Sequence, residues 1–168
     1  MNIIYRSLGI ATVAATIGAM SVPAFASSTT SNQAIGASVS NDCAITTNNT
    51  LAFGSYDPIA ANATNDLSGS TTFSVACTKG ASVTLSLGAG GNGGTYTNAT
   101  RAMSSNSNLL AYELYTTNSN STVWNSTNTV AYNGTGSSGT ETIYGVIPHG
   151  QVVPAGAYTD SIVVTASY

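Results

Sequence analysis

"DSIVVTASY", residues Asp160 to Tyr168, alternates strictly: Ile162, Val164, Ala166 and Tyr168 fall on one side, and Ser161, Val163, Thr165 and Ser167 on the other. Successive side chains of a strand point to opposite faces of its sheet, so this period of two predicts a strand with one buried face. The apolar face runs to Tyr168, and no further strand follows to pair with it. Natural proteins usually blunt a free strand edge with a charge, a proline or a bulge. Residues 161–168 carry none of these. The stretch therefore predicts a sandwich whose last edge is left open.

The same period recurs upstream. "TFSVACT" places Phe73, Val75 and Cys77 on one face, and "SVTLSL" does so with Val83, Leu85 and Leu87. "LLAYELY" gives Leu110, Tyr112 and Leu114, and "TIYGVI" gives Ile143, Gly145 and Ile147. Short strands separated by Gly, Pro, Asn and Ser clusters indicate an antiparallel β-sandwich. The Gly/Asn/Ser-rich stretches 88–108 and 117–140 are expected to be loops or irregular edges on it. One further alternating stretch stands apart: in "QAIGASVSNDC", Gln33, Ile35, Ala37 and Val39 form a small stripe separated by small residues. Upstream "SSTTSN" offers it no partner, so its sheet has to be found elsewhere.

The N-terminus reads as a secretory leader. Arg6 is followed by the apolar run "LGIATVAATIGAM" and by "SVPAFA", a small-residue cleavage site that puts the cut between Ala26 and Ser27. That run is too short to span a membrane. The expected organisation is a signal peptide over 1–26, an N-terminal extension over 27–41 and one β domain over 42–168, long enough for a single core. Only 5% of the 168 residues are charged, against about 25% in a typical globular protein. Beyond residue 26 the cations are Lys79 and Arg101 alone, and the whole chain has a net charge of −3. Such a chain is a poor partner for nucleic acid or an anionic membrane. Its surface of Ser, Thr, Asn and Gly offers little long-range repulsion between copies. The two cysteines, Cys43 and Cys77, both follow the leader. In an oxidising compartment such a pair is expected to oxidise, two separate buried thiols being the alternative.

Catalytic and cofactor patterns are weak. "GAGGNG" (Gly88 to Gly93) has the spacing G-x-G-x-x-G after a strand. A nucleotide site needs a helix next, and "GTYTNATRAM" has no helical period, so a hairpin loop is expected. His149, the sole histidine, could join Asp160 and a serine in a hydrolytic triad, but no G-x-S-x-G elbow is present and "IPHG" reads as a turn. A lone histidine and two cysteines make no zinc cage, and no acidic calcium loop appears. No enzyme activity, cofactor or metal is expected. Tyr112, Tyr115, Trp124, Tyr132, Tyr144 and Tyr158 could form a sugar platform, although core packing is the expected role of aromatics within alternating strands. Asn62-Ala-Thr64 and Asn98-Ala-Thr100 are formal glycosylation sequons.

Several blocks together resemble the spore coat protein U domain family, which includes subunits of archaic chaperone–usher pili. They are "LAFGSYDP" (Leu51 to Pro58), "VACTKG" (Val75 to Gly80), "LAYELY" (Leu110 to Tyr115) followed by Trp124, and "YGVIPHGQVVPAGAYTD" (Tyr144 to Asp160). The resemblance runs from about Gln33 to Tyr168. It implies an all-β, incomplete immunoglobulin-like β-sandwich completed by a donor strand from another subunit. It further implies a periplasmic chaperone that fills the gap first, an outer-membrane usher, a head-to-tail filament of this chain or related pilins at the cell surface, and roles in attachment and biofilm formation. Carried onto this sequence, Gln33, Ile35, Ala37 and Val39 become the donor strand. Cys43 and Cys77 match the family's disulfide, and Ile162, Val164, Ala166 and Tyr168 become the final strand bordering the groove and meeting the chaperone. Gln33 departs from the pattern, standing where a larger apolar anchor is expected, Ala37 is small, and Asn125 follows Trp124 where glycine is commoner. An exported coat or matrix protein and a single-domain adhesin are the alternative functions.

Overall fold

The computed structural model describes residues 25–168 except Asn48, so the leader expected over residues 1–26 lies almost wholly outside the described residues. The chain divides into two units at Ala37 and Ser38. In the first, residues 25–37 are exposed and carry no helix or strand.

The second unit is all-β. Among the described residues its strands are β1 (Cys43–Thr46), β2 (Leu67–Cys77), β3 (Ser82–Leu87), β4 (Gly93–Tyr96), β5 (Ala99–Ser105), β6 (Asn108–Tyr115), β7 (Val130–Asn133), β8 (Ser138–Ile147) and β9 (Val164–Ser167). Six form one sheet in the order β1-β2-β8-β6-β5-β4, and three form a second in the order β7-β3-β9. All these pairings are antiparallel. No helix among the described residues is long and apolar enough to cross a membrane.

The faces expected from the alternation are those that pack. Phe73, Val75, Cys77, Val83, Leu85, Leu87, Leu110, Tyr112, Leu114, Ile143 and Ile147 form one buried cluster fed by both sheets. Trp124, reached by a loop after β6, fills its middle: the indole lies 6.0 Å from the Phe73 ring and donates to the Leu85 carbonyl at 3.0 Å. Cys43 and Cys77 lie directly opposite each other on β1 and β2 and are joined by a disulfide, which fastens the edge strand to the sheet.

Two expectations are corrected. Residues 88–108 are not mainly loop, because they contain β4 and β5, and β5 is an interior strand of the large sheet. Its hairpin to β6 turns on Asn106 and Ser107 at φ 47° and 71°, the two positive values of a tight two-residue turn. Its pattern was hidden because an inward position is filled by a cation. Arg101 and Glu113 are 2% and 1% exposed and form an ion pair through Nη1 and Oε1. Arg101 also donates to the carbonyls of Gly88 (2.9 Å) and Trp124 (2.7 Å), while Glu113 accepts from the Thr100 amide and hydroxyl and the Leu114 amide. Each nitrogen and oxygen of the pair thus has at least one partner, which is what makes a buried pair tolerable. Within 117–140, residues 130–133 are β7 and 138–140 open β8.

Candidate functional site

A groove runs along one side of the sandwich between two segments that belong to neither sheet. The first wall comprises residues 49–58. Leu51 and Phe53 turn inward and are half-buried while Ala52 is exposed; Gly54, at φ 85°, lets the chain slip by one residue so that Tyr56 also turns inward. Leu51 and Phe53 lie over Gly69 and Gly145, which face each other across β2 and β8. A Cβ at Gly145 would come 2.7 Å from the Phe53 ring, so the absent side chain makes the seat for this wall. Tyr56 locks the end: its hydroxyl donates to the Pro148 carbonyl at 2.9 Å and accepts from the Gln151 amide at 2.9 Å.

The second wall comprises residues 152–163 and continues into β9. Its inward side chains, Val153, Tyr158, Asp160 and Ile162, are half-buried, as are Val164 and Ala166 of β9. The backbone is tied to β5 by a two-way bridge between Thr159 and Ser104 (2.9 and 3.2 Å) and to Gly88 through the Val163 carbonyl (2.8 Å). Neither residues 50–56 nor residues 152–158 make a backbone–backbone hydrogen bond among the described residues. Among the described residues β9 pairs only with β3, and its other edge has no ladder partner. Both walls thus leave main-chain groups free to pair beside apolar side chains.

The space between the walls comprises two connected cavities of about 290 and 670 Å³ that share Thr50, Leu51, Phe53, Met103 and Tyr158. Core residues form the floor: Phe73, Tyr112, Leu114 and Ile143 under the smaller cavity, Leu110 and Ile147 under the larger. Along this seam the buried floor is covered only by the half-buried side chains of the two walls. Asp160 is the one charged residue lining it among the described residues. Asp160 Oδ2 accepts from the Tyr112 hydroxyl at 2.7 Å, and Oδ1 accepts from the Gly91 amide at 2.8 Å and Asn92 Nδ2 at 3.4 Å. Burial, and then the adjacent Asp160 carboxylate, push the Tyr112 phenol well above its ordinary range, so it remains a donor.

Ile162 and Val164 line the groove, and Ala166 packs against the core beside them. Tyr168 does not continue their stripe. It lies past the last ladder position of β9, is 56% exposed, and turns its hydroxyl to Asp42 Oδ1 at 3.3 Å. Gln33, Ile35, Ala37 and Val39 are exposed, Ile35 at 94% and Val39 at 85%, and have no strand partner among the described residues. Sequence reasoning did not find the first wall as a wall, although the alternation of Leu51 and Phe53 before Gly54 carries that signal.

The triad geometry is absent: Asp160 is bound to Tyr112, whereas His149 Nδ1 lies 2.6 Å from Asp66 Oδ1. Burial would raise the Asp66 carboxyl, but hydrogen bonds from the His149 ring and amide outweigh it and hold the group below the ordinary carboxylate value. "GAGGNG" forms the turn between β3 and β4 that Asp160 grips, with Gly90 at φ 85° where a Cβ would strike the carboxylate. Trp124 and Tyr112 are buried and Tyr115, Tyr132, Tyr144 and Tyr158 half-buried, which fits packing better than an open sugar platform. Asn62 is no exposed sequon. It is 5% exposed and bonded to the Asp57 amide and the Asn65 carbonyl.

The model of the Spore Coat Protein U domain family matches residues 29–165. Protein U of Myxococcus xanthus is 33% identical over 180 residues, covering 100% of both chains. Among solved structures, a chain of the CsuC-CsuE chaperone-tip adhesion subunit pre-assembly complex, from archaic chaperone-usher Csu pili of Acinetobacter baumannii, has a similar fold. The TM-score is 0.56 at 22% identity, over 77% of this chain and 40% of that chain. The likeness spans less than half of that longer chain and is one of fold.

Proposed function

We propose a function from one premise: the chain belongs to the spore coat protein U domain family. On our reading it is a structural, non-enzymatic subunit of a chaperone–usher pilus, exported through the periplasm to the cell surface. A leader over 1–26 is removed, and residues 27–41 of one copy complete the domain 42–168 of the next. The contact is head-to-tail, so it need not close and generates a filament. Attachment and biofilm formation would be the work of that filament.

The observation that carries this reading is the seam: two walls with unpaired backbone, an apolar floor between them and a free β9 edge. A strand laid along it receives main-chain hydrogen bonds while alternate side chains enter the cavities. The stretch Gln33 to Val39 has that alternation, is exposed, and extended at about 3.3 Å per residue would span roughly 20 Å. A periplasmic chaperone would cover the seam first, and an outer-membrane usher would exchange it for the next subunit's strand.

The test is an unheated denaturing gel of the exported protein, made with its chaperone and usher, beside a version lacking Ser27 to Asn41. A heat-labile ladder from the full chain alone is the expected result. Monomer in both lanes would refute strand donation. The family's description favours one second reading, a coat subunit that assembles through the same contact without a pilus. Electron microscopy of the multimers separates filaments from a coat layer.

A further inference from the structure

We propose that the Asp160–Tyr112 pair reads Gln33 of the incoming strand, so that the polar position of the donor fixes its register in the groove. The inference rests on the strand-donation reading and adds to it a residue-level match. Two observations meet here. The groove-facing donor series Gln33, Ile35, Ala37, Val39 has one side chain able to hydrogen-bond, at its start. The groove has one charged residue among its described lining, and it sits in the smaller cavity.

The lone pairs of Asp160 give the match its chemistry. A carboxylate offers about four acceptor sites. Gly91 N and Asn92 Nδ2 take those of Oδ1, and the Tyr112 hydroxyl takes one of Oδ2. By that count one site on Oδ2, the oxygen the Gly90 backbone also packs against, has no protein donor, and Asp160 is only half-buried, so water can reach it while the groove is empty. A docked strand expels that water. An apolar side chain at this point would strand the last site of a desolvated carboxylate, which is more costly than losing a neutral acceptor. The amide of Gln33 supplies an N–H donor instead. Gln33, which looks like a weak apolar anchor, thereby becomes the residue the groove requires.

The remaining positions agree. With Gln33 at Asp160, Ile35, Ala37 and Val39 run toward the Val153 end of the second wall. There the cavity is larger, about 670 Å³, and is lined by Leu51, Phe53, Leu110, Ile147 and Val153. Shifting the strand by two residues would put Ile35 against the carboxylate. The opposite direction would put Val39 there.

The primary changes are on the donor side, which leaves the acceptor domain's own packing untouched, and one acceptor change, Asp160→Asn, serves as the rescue. Full-length Gln33→Leu, Gln33→Glu and Gln33→Lys chains are exported with chaperone and usher, and heat-labile multimers are quantified beside wild type. Gln33→Leu should lower the multimer fraction several-fold, and Gln33→Glu by about tenfold or more, as expected for a lost charge-assisted hydrogen bond. Gln33→Lys should retain assembly, and Asp160→Asn should restore it to Gln33→Glu. Multimers from Gln33→Leu equal to or above wild type would mark position 33 as an ordinary apolar anchor and overturn the proposal, as would an unimpaired Gln33→Glu. Those outcomes leave strand donation standing; absence of multimers from the wild-type chain would overturn both.

Discussion

A pair of single substitutions tests the proposed head-to-tail contact from both ends. Val39→Asp spoils the donor and leaves the groove intact; Ile162→Asp spoils the groove and leaves the donor intact. Val39 is 85% exposed in the isolated chain, so docking would bury nearly all of it, worth about 1.5–3 kcal/mol of apolar transfer. The aspartate adds the cost of dehydrating a carboxylate without a partner, roughly 1–3 kcal/mol or more. The joint is then weakened by about 2.5–6 kcal/mol, or roughly 10²–10⁴-fold in affinity. Ile162 sits half-buried between Ser161 and Val163, before β9 begins, so its replacement disturbs the groove more than the sheets. Each variant alone should give monomers on an unheated gel. Mixed during export, the two should give a dimer and nothing longer, because the Ile162→Asp chain can donate to the Val39→Asp chain and the dimer has no working end. A ladder from either variant alone, or chains longer than two from the mixture, would refute the reasoning.

Three further outcomes follow from the packing. Arg101→Met leaves Glu113 buried without its partner and should destabilise the domain by about 3–5 kcal/mol, whereas Arg101→Met with Glu113→Leu should recover most of the loss; thermal unfolding of both variants checks this. Gly145→Val drives a side chain into the Phe53 ring; it should cost about 1–3 kcal/mol and, by unseating the first wall, lower multimer yield. Asp66 has a depressed folded value, so its stabilisation is present above the unfolded value near 3.9 and is lost as the pH falls through the folded one. Because Asp66 and His149 are half-exposed, the effect stays under about 1 kcal/mol, and His149→Ala should flatten the acid limb of the unfolding midpoint measured from pH 5 to pH 2.

What the sequence disclosed follows from which forces repeat along it. Inward faces of β2, β3, β6 and β8 could be read because burial imposes apolar residues at every second position, and the structure fills its core with those residues. β5 could not, because Arg101 occupies an inward place and its partner Glu113 lies on the next strand. Two charges that are unremarkable in sequence become core residues only once pairing brings them together. The same limit hid the partner of Asp160, which a triad pattern would assign to His149 and which is Tyr112, 48 residues away. The first wall was obscured differently. Its period breaks at Gly54, and its seat is defined by what Gly69 and Gly145 lack.

The seam itself explains why an added strand would hold firmly where its own contacts are few. Ile35 and Val39 are the only sizeable apolar side chains in the series that would enter the groove, and ordering a free segment costs about 1–2 kcal/mol per residue. The donor's burial alone is therefore a weak source of affinity. The acceptor supplies the rest, because Leu51, Phe53, Val153, Tyr158, Ile162 and Val164 are core-facing side chains still partly in water. A docked strand would bury them further and give the unpaired backbone of both walls its hydrogen bonds. Stabilisation that belongs to the acceptor's folding then appears as affinity for the donor, since whatever binds the folded state alone stabilises it. Dissociation must reopen the core rather than merely separate two surfaces. On that reasoning the joint should resist denaturant in proportion to how completely the seam is closed, and a donor that leaves the larger cavity unfilled, such as Val39→Ala, should form multimers that melt at lower temperature than wild type.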